Sequence, residues 1–404
     1  MKYDTHFLMT EADAINYAKD YLKYFQAGEV LTCEEIGDGN INYVFRLKSE
    51  TTGKSLVIKQ SDVLLRSAGR PLDTKHSRIE AEILKLQGTL APGLVPEVYD
   101  YNETMCAISM EDISSYENTR KGLMNGTIYP TFVNDVVNFM VDTMLPTTDL
   151  VLGQKEKKER VVHFTNPELC EITEKLVLAE PFGSPDDDNV FTEENREFVR
   201  DFLYENSDIR AQVGLLRNNF MNNAQALIHG DLHTGSIFGN ENGIKIIDPE
   251  FAFYGPMGYD AGNVIGNLFF SLVYWYLKDP ENTEMIDWLT STAATVFDRF
   301  GDRLAERWDE LVTFDLYREP GFKKLYIAEV MADTVGYAGT EIIRRTVGSS
   351  KVAEVDAFPM DDPRRAQMER ILIGLGNHFI LNRKRIMYGF ELIHILKPYL
   401  MMEK

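Results

Sequence analysis

The chain has 404 residues, 44% apolar and 26% charged, a globular composition long enough for two lobes rather than one core. Its 42 basic and 63 acidic residues leave a net charge of −21, which argues against nucleic acid or an anionic membrane surface as partners. A nucleotide remains compatible, because a few local cations and a metal reverse the field inside one cleft.

Cys33, Cys106 and Cys170 are odd in number and lack Cys-x-x-Cys spacing, so neither a disulfide framework nor a zinc site is expected. A reducing, cytoplasmic setting fits this usage. The N-terminus lacks the apolar core of a secretory signal, and the uncharged run 261–277 is shorter than a spanning helix and contains Asn263 and Asn267. That run reads as a buried helix.

In chain order, Thr10-Glu11-Ala12-Asp13 has the form of a capping box, and Ala14, Ile15, Ala18, Tyr21 and Leu22 recur at helical spacing, predicting a helix to about Tyr24. From Leu31 the pattern changes to strands over 31–36, 41–47 and 55–58, the last ending on Lys59, with a turn at Thr51-Thr52-Gly53-Lys54. Gly37-Asp38-Gly39-Asn40 lies between the first two strands, either as an ordinary hairpin turn or as a cradle whose N–H groups approach phosphates, with Asn40 adding an amide. Lys59 favours the cradle, since a nucleotide-binding lysine would lie beneath that turn.

The 78–86 segment is helical by period, with Ile79, Ile83 and Leu86 on one face. Glu80, or alternatively Glu82, would hold Lys59 toward the phosphates; both also fit plain surface charges. Strands over 95–101 and 105–110 follow, the second running into Glu111-Asp112-Ile113-Ser114, a crossing whose backbone groups suit an adenine edge. From Ser115 onward the periodicity is helical, broken by loops at 181–189 and 349–363. The acidic run in the first of these lacks the ligand spacing of an EF-hand and reads as a solvated turn.

The densest chemistry lies in Ile228-His229-Gly230-Asp231-Leu232-His233-Thr234-Gly235-Ser236-Ile237. A loop carboxylate at Asp231 can accept the proton of a hydroxyl and orient its oxygen in line with a γ-phosphoryl group. A strand over 243–247 then delivers Asp248 and Glu250, which on an extended chain would point the same way and share one metal. Hard oxygen ligands beside phosphates favour Mg²⁺, or Mn²⁺, over zinc. His229 and His233 fit either a metal pair or, better, a role in fixing the loop through its backbone.

The stretch from Ile36 to Phe45, those over 227–238, 246–258 and 164–170, and Glu341-Ile342-Ile343-Arg344-Arg345-Thr346-Val347-Gly348 resemble the 5-methylthioribose kinases. That family sits in the aminoglycoside phosphotransferase and choline kinase group of the protein-kinase-like fold, and the resemblance covers nearly the whole chain. His233-Thr234-Gly235-Ser236 and Asp248-Pro249-Glu250 carry it specifically, because the wider group has His-Pro-Gly-Asn at the first of these. The resemblance implies that Asp231 is the catalytic base, that Asp248 and Glu250 bind magnesium, and that Lys59 contacts phosphate. It further implies that Met110, Glu111, Asp112 and Ile113 hold adenine, and that Arg344 and Arg345 reach the substrate and the transferring phosphoryl group. Ser236 stands where protein kinases place a metal-binding asparagine, so that duty falls to Glu250 or is absent.

The expected architecture is therefore α+β and two-lobed: residues 1–112 as a small β-rich nucleotide lobe and 113–404 as a larger helical lobe, with ATP and magnesium between them. The phosphates would be held by Gly37, Gly39, Asn40 and Lys59, with Pro249 between the metal carboxylates. The expected reaction phosphorylates the 1-hydroxyl of 5-methylthioribose, and a homodimer is implied by the family resemblance alone. The alternatives are a kinase for choline, homoserine or an aminoglycoside, and a nucleotide-binding scaffold without turnover. A cationic acceptor is disfavoured by the twin arginines, and a dead scaffold by the intact set of Lys59, Asp231, Asp248 and Glu250.

Overall fold

The computed structural model describes residues 2–36, 42–62, 75–183 and 188–401. The chain divides into two units, Met1–Tyr116 with Lys245–Phe251 and Glu117–Ile244 with Ala252–Lys404.

The first unit opens with helix α1 (Glu11–Asn16), and its N-terminus is the expected capping box: Thr10 accepts the Asp13 N–H while Asp13 accepts the Thr10 N–H. The helix continues as a π-helical turn over Tyr17–Tyr21 and stops before Tyr24, because Lys23 takes a left-handed φ of 53° that no right-handed helix can include. Five antiparallel strands follow in the order β1-β2-β3-β5-β4: β1 (Leu31–Glu35), β2 (Asn42–Ser49), β3 (Ser55–Ser61), β4 (Val98–Asn102) and β5 (Ala107–Met110). Period-two alternation sets Phe45 opposite Ile58 and Leu47 opposite Leu56, and all four are buried beside Ala14, Tyr17 and Met105. Burying each of those large side chains contributes about 1.5–3 kcal/mol. Gly53, at φ 72°, closes the β2–β3 turn by donating to the Ser49 carbonyl at 2.9 Å. Helix α2 (Lys75–Leu90) buries Ile79, Ile83 and Leu84, whereas Leu86, expected on the same face, is only half-buried.

The second unit is mainly helical, as the periodicity predicts, with short strands that no periodicity reveals: β6 (Glu117–Asn118), β7 (Ala226–Ile228), β8 (Ile237–Asn240) and β10 (Phe253–Gly255); β9 (Gly243–Ile246), whose last two residues belong to the first unit, is the strand expected over 243–247. Strand β7 pairs antiparallel with β10, and β6, β8 and β9 make a three-stranded sheet. The 349–363 segment, read as a loop, contains the short helix Ala353–Asp356.

Helix α3 (Met257–Lys278) is buried on all sides from Met257 through Trp275, as its uncharged sequence requires. It packs on α4 (Pro320–Val347), which in turn packs on α5 (Pro363–Asn382). Glycines allow the close approach of α3: a Cβ at Gly258 would sit 2.6 Å from the Thr334 nitrogen, and one at Gly262 would sit 2.6 Å from the Ala338 nitrogen. This spacing of four lays one turn after another of α3 against the α4 backbone and fixes where the C-terminal half of α4 lies. Among the described residues no helix is long and apolar enough to cross a membrane.

Candidate active site

The loop after β7 is held by its own backbone and by α3. Gly230, at φ 85°, turns the chain so that the Gly230 and His229 N–H groups both donate to the buried Asp260 carboxylate, at 3.0 and 2.6 Å. Burial pushes the Asp260 carboxyl up, and the two N–H groups and His229 oppose that rise. The Asp231 N–H donates to His229 Nδ1 at 3.3 Å, and His233 Nδ1 accepts from the Gly235 and Ser236 N–H groups at 3.0 and 3.1 Å. Both histidines therefore shape the loop, as expected. An Nδ1 that accepts N–H groups leaves the His233 proton on Nε2, 3.4 Å from Asp231 Oδ2. Ser236 is equally committed: its hydroxyl lies 3.0 Å from the Asp231 carbonyl and accepts the His233 N–H at 3.0 Å.

Arg344 and Arg345 come to the other oxygen of the same carboxylate. Their Nη2 atoms lie 3.5 and 3.9 Å from Asp231 Oδ1, and the side chains are buried at Arg344 and largely buried at Arg345 rather than spread over a helix surface. Burial alone would raise the Asp231 pKa, but His233, Arg345 and Arg344 hold the carboxyl well below the usual carboxylate range. The side chain keeps 29% of its exposure, so an incoming hydroxyl can reach it. Between the arginines and the helix core lies Glu341, fully buried, with Oε2 2.5 Å from Arg344 Nε and Oε1 3.3 Å from Arg345 Nε. Burial would raise this carboxyl as well, yet the two guanidinium groups hold it down at about 2.

The first unit assembles a separate cluster on Lys59. Lys59 lies inside β3, paired with Val44 and Ile108, and not at the strand end as its spacing suggests. Its ammonium sits 2.7 Å from Glu80 Oε1 and 2.6 Å from Asp248 Oδ1. Glu82 instead bonds Arg78 one turn away on α2, at 2.9 Å, so Glu80 is the partner of Lys59. Burial works against the Lys59 charge, but Asp248, Glu80 and Glu250 outweigh it and raise the pKa. Burial pushes the Glu80 carboxyl up, and its Oε2 has no hydrogen-bond partner among the described residues.

Asp248 and Glu250 depart from the expected geometry. The strand ends at Ile246, Asp248 adopts a left-handed φ of 61°, and Pro249–Phe251 forms a 3₁₀ turn, so the two carboxylates do not project side by side from an extended chain. Asp248 is 47% exposed beside Lys59, whereas Glu250 is buried and accepts from the Asn42 amide at 3.0 Å. Glu111 is also more committed than a free crossing implies: its N–H donates to the Glu97 carbonyl at 2.8 Å and its carboxylate bonds Lys245 at 2.8 Å. Of the other crossing residues, Met110 closes β5, paired with Val57 and Val98, and Asp112 accepts the Ser114 N–H at 3.0 Å. Gly37, Gly39 and Asn40 lie outside the described residues.

Two residues escaped sequence reasoning, Asp260 and Glu341. Asp260 immediately precedes the long uncharged run, and an acid at the head of an apolar helix is a usable signal of a buried carboxylate with a specific partner. Glu341 stands three and four residues before the arginine pair, the spacing of a helical ion pair, which is equally legible.

The Phosphotransferase enzyme family model matches residues 191–287, a span that contains the Asp231 loop and Asp248. Over the full length, the methylthioribose kinase of Bacillus pumilus is 37% identical across 394 residues, 96% of each chain, and that of Bacillus velezensis matches equally. The chain belongs to the methylthioribose kinase family. The methylthioribose kinase of a Geobacillus species is 36% identical over 94% of this chain and 92% of its own. Among solved structures, the ethanolamine kinase of Plasmodium vivax covers 99% of this chain and 90% of its own at 13% identity, with a TM-score of 0.47. As a methylthioribose kinase family member the chain is a phosphotransferase of α+β, protein-kinase-like fold, with a small antiparallel-sheet unit and a larger, mainly helical one.

Proposed function

We propose that this chain transfers the γ-phosphoryl group of ATP to the 1-hydroxyl of 5-methylthioribose, giving 5-methylthioribose 1-phosphate for methionine salvage. The observation that carries the reading is an ionised, partly exposed Asp231 with Arg344 and Arg345 at one of its oxygens, in a chain 37% identical to methylthioribose kinases along its length.

Asp231 accepts a hydrogen bond from the acceptor hydroxyl and aims its oxygen at the phosphorus. A carboxylate held this far below its usual pKa is a weak base, so proton transfer comes late, once the bond to phosphorus is forming and the hydroxyl has become acidic. Arg344 and Arg345 stabilise the charge that develops on the transferred group, a duty consistent with a neutral sugar acceptor. Lys59, held by Glu80, binds phosphate oxygens, and Met110, Asp112 and Ile113 receive the adenine. Asp248 and Glu250 supply oxygen donors only, and two carboxylates that leave the remaining positions to phosphate and water fit Mg²⁺ or Mn²⁺. Such a cation, when bound, offsets phosphate charge. In the same reading the enzyme works as a cytoplasmic homodimer.

The test is ADP release with Mg-ATP and 5-methylthioribose, run beside ribose, choline, homoserine and an aminoglycoside. Turnover confined to methylthioribose supports the proposal. Turnover on another acceptor, or none despite ATP binding, overturns it.

A further inference from the structure

Glu341 has no place in the chemistry just described, yet it touches both arginines. It is fully buried on α4, and it binds each guanidinium through Nε, at 2.5 Å for Arg344 and 3.3 Å for Arg345. The Nη2 atoms of the same groups reach toward Asp231 but stop at 3.5 and 3.9 Å, longer than a strong ion-pair hydrogen bond. The Asn267 amide bonds Glu341 Oε1 at 3.0 Å and takes a hydrogen bond from Arg120, whose backbone N–H donates to the Thr234 carbonyl of the catalytic loop. A buried cation needs a carboxylate, and in this pocket two compete for the same pair of cations.

We infer that Glu341 is a positioning residue that holds Arg344 and Arg345 off Asp231, so that the catalytic carboxylate stays open to the acceptor hydroxyl. Without Glu341 the nearest anion to both guanidinium groups is Asp231. A collapsed fork onto its Oδ1, with His233 already at Oδ2, would occupy both oxygens. The acceptor would then find no free lone pair in the right direction. Glu341 touches neither substrate nor nucleotide; it acts through the arginines, and the inference rests on the proposed roles of Asp231, Arg344 and Arg345.

A mutant cycle tests this. Glu341→Gln is expected to lower kcat by about 10- to 100-fold, the usual cost of removing the support of a site residue, while the KM for ATP changes little. In an Arg344→Gln/Arg345→Gln background the same change should alter kcat by less than about twofold, because there is nothing left to position. It should also raise Tm, because without the arginines Glu341 is a buried charge with no cation. Equal losses of kcat in the two backgrounds, or a fall in Tm in the second, overturn the inference in favour of a purely structural role. If the double variant is too slow to compare, the Tm comparison decides. Turnover of methylthioribose by the unaltered chain is measured first and judges the functional proposal by itself. Should it be absent, the cycle is run on hydrolysis of ATP by water and read against the same outcomes.

Discussion

At the scale of single residues, Asp231 combines exposure with a depressed pKa, and that pairing sets its pH behaviour. Because His233 and the two arginines hold its carboxyl well below the usual range, Asp231 stays ionised throughout neutral and mildly acidic solution. A kcat profile from pH 5 to 8 should therefore show no acid limb from this residue, and an acid limb in that interval would contradict its assignment. Asp231→Asn should lower kcat by about 10³-fold, the weight of a positioned acid–base group, with binding of ATP retained by calorimetry. Lys59→Ala has two separable effects. Loss of a phosphate ligand weakens ATP binding, and loss of the Glu80 partner leaves a buried carboxylate alone, costing about 3 kcal/mol of stability in a denaturant titration. Glu341 carries a pH dependence of stability. Its folded carboxyl sits at about 2 against an ordinary 4.5, so its stabilising effect is complete above the ordinary value and is lost as pH falls toward 2. The shift corresponds to about 3 kcal/mol, and Glu341→Gln should flatten that part of the acid unfolding curve.

At the scale of elements, the Asp231 loop and the arginine pair are brought into register by helices, not by the loop itself. Asp260 at the start of α3 ties down the loop N–H groups, and the contact of Gly258 and Gly262 with α4 sets the distance from that anchor to Arg344. Gly262→Ala would place a methyl group 2.6 Å from a backbone nitrogen. It should cost about 1–3 kcal/mol and also lower kcat, whereas a loss of stability with unchanged kcat would show that α4 does not transmit the displacement. The same elements show which parts of the fold were legible beforehand. The β1–β3 meander and the Thr10 cap were readable, because alternation and capping are local rules written in neighbouring residues. The pairing of Lys59 with Glu80 was readable because a strand lysine and a glutamate on the following helix already imply a contact. The positions of Asp248 and Glu250 were misjudged, since nothing in Asp248-Pro249-Glu250 announces a left-handed φ at the aspartate. Glu341 and Asp260 were missed for a different reason: their local spacing marks a helical ion pair and an acid at a helix head, but that both face the Asp231 loop is decided by elements remote in sequence.

At the scale of the whole molecule, a net charge of −21 is a self-repulsion that favours expansion of the chain. Added salt screens it, so Tm should rise between about 0.02 and 0.2 M NaCl, as the Debye length shortens. A fall over that interval would mean that the internal ion pairs, led by the Lys59 and Glu341 clusters, outweigh the repulsion. A different consequence follows from the composition of the first unit. Its residues come from two places in the chain, Met1–Tyr116 and Lys245–Phe251, and the later piece contributes the Asp248 that bonds Lys59. Synthesis on the ribosome runs from the N-terminus, so the β-sheet emerges long before the partner of its central lysine. Until Phe251 has left the exit tunnel, Lys59 has Glu80 but not Asp248, and Lys245 is not yet there for Glu111. An N-terminal fragment ending at Tyr116 should accordingly be less resistant to protease than the same residues in the full chain, and supplying the missing Lys245–Phe251 segment as a separate peptide is the natural route to restoring it.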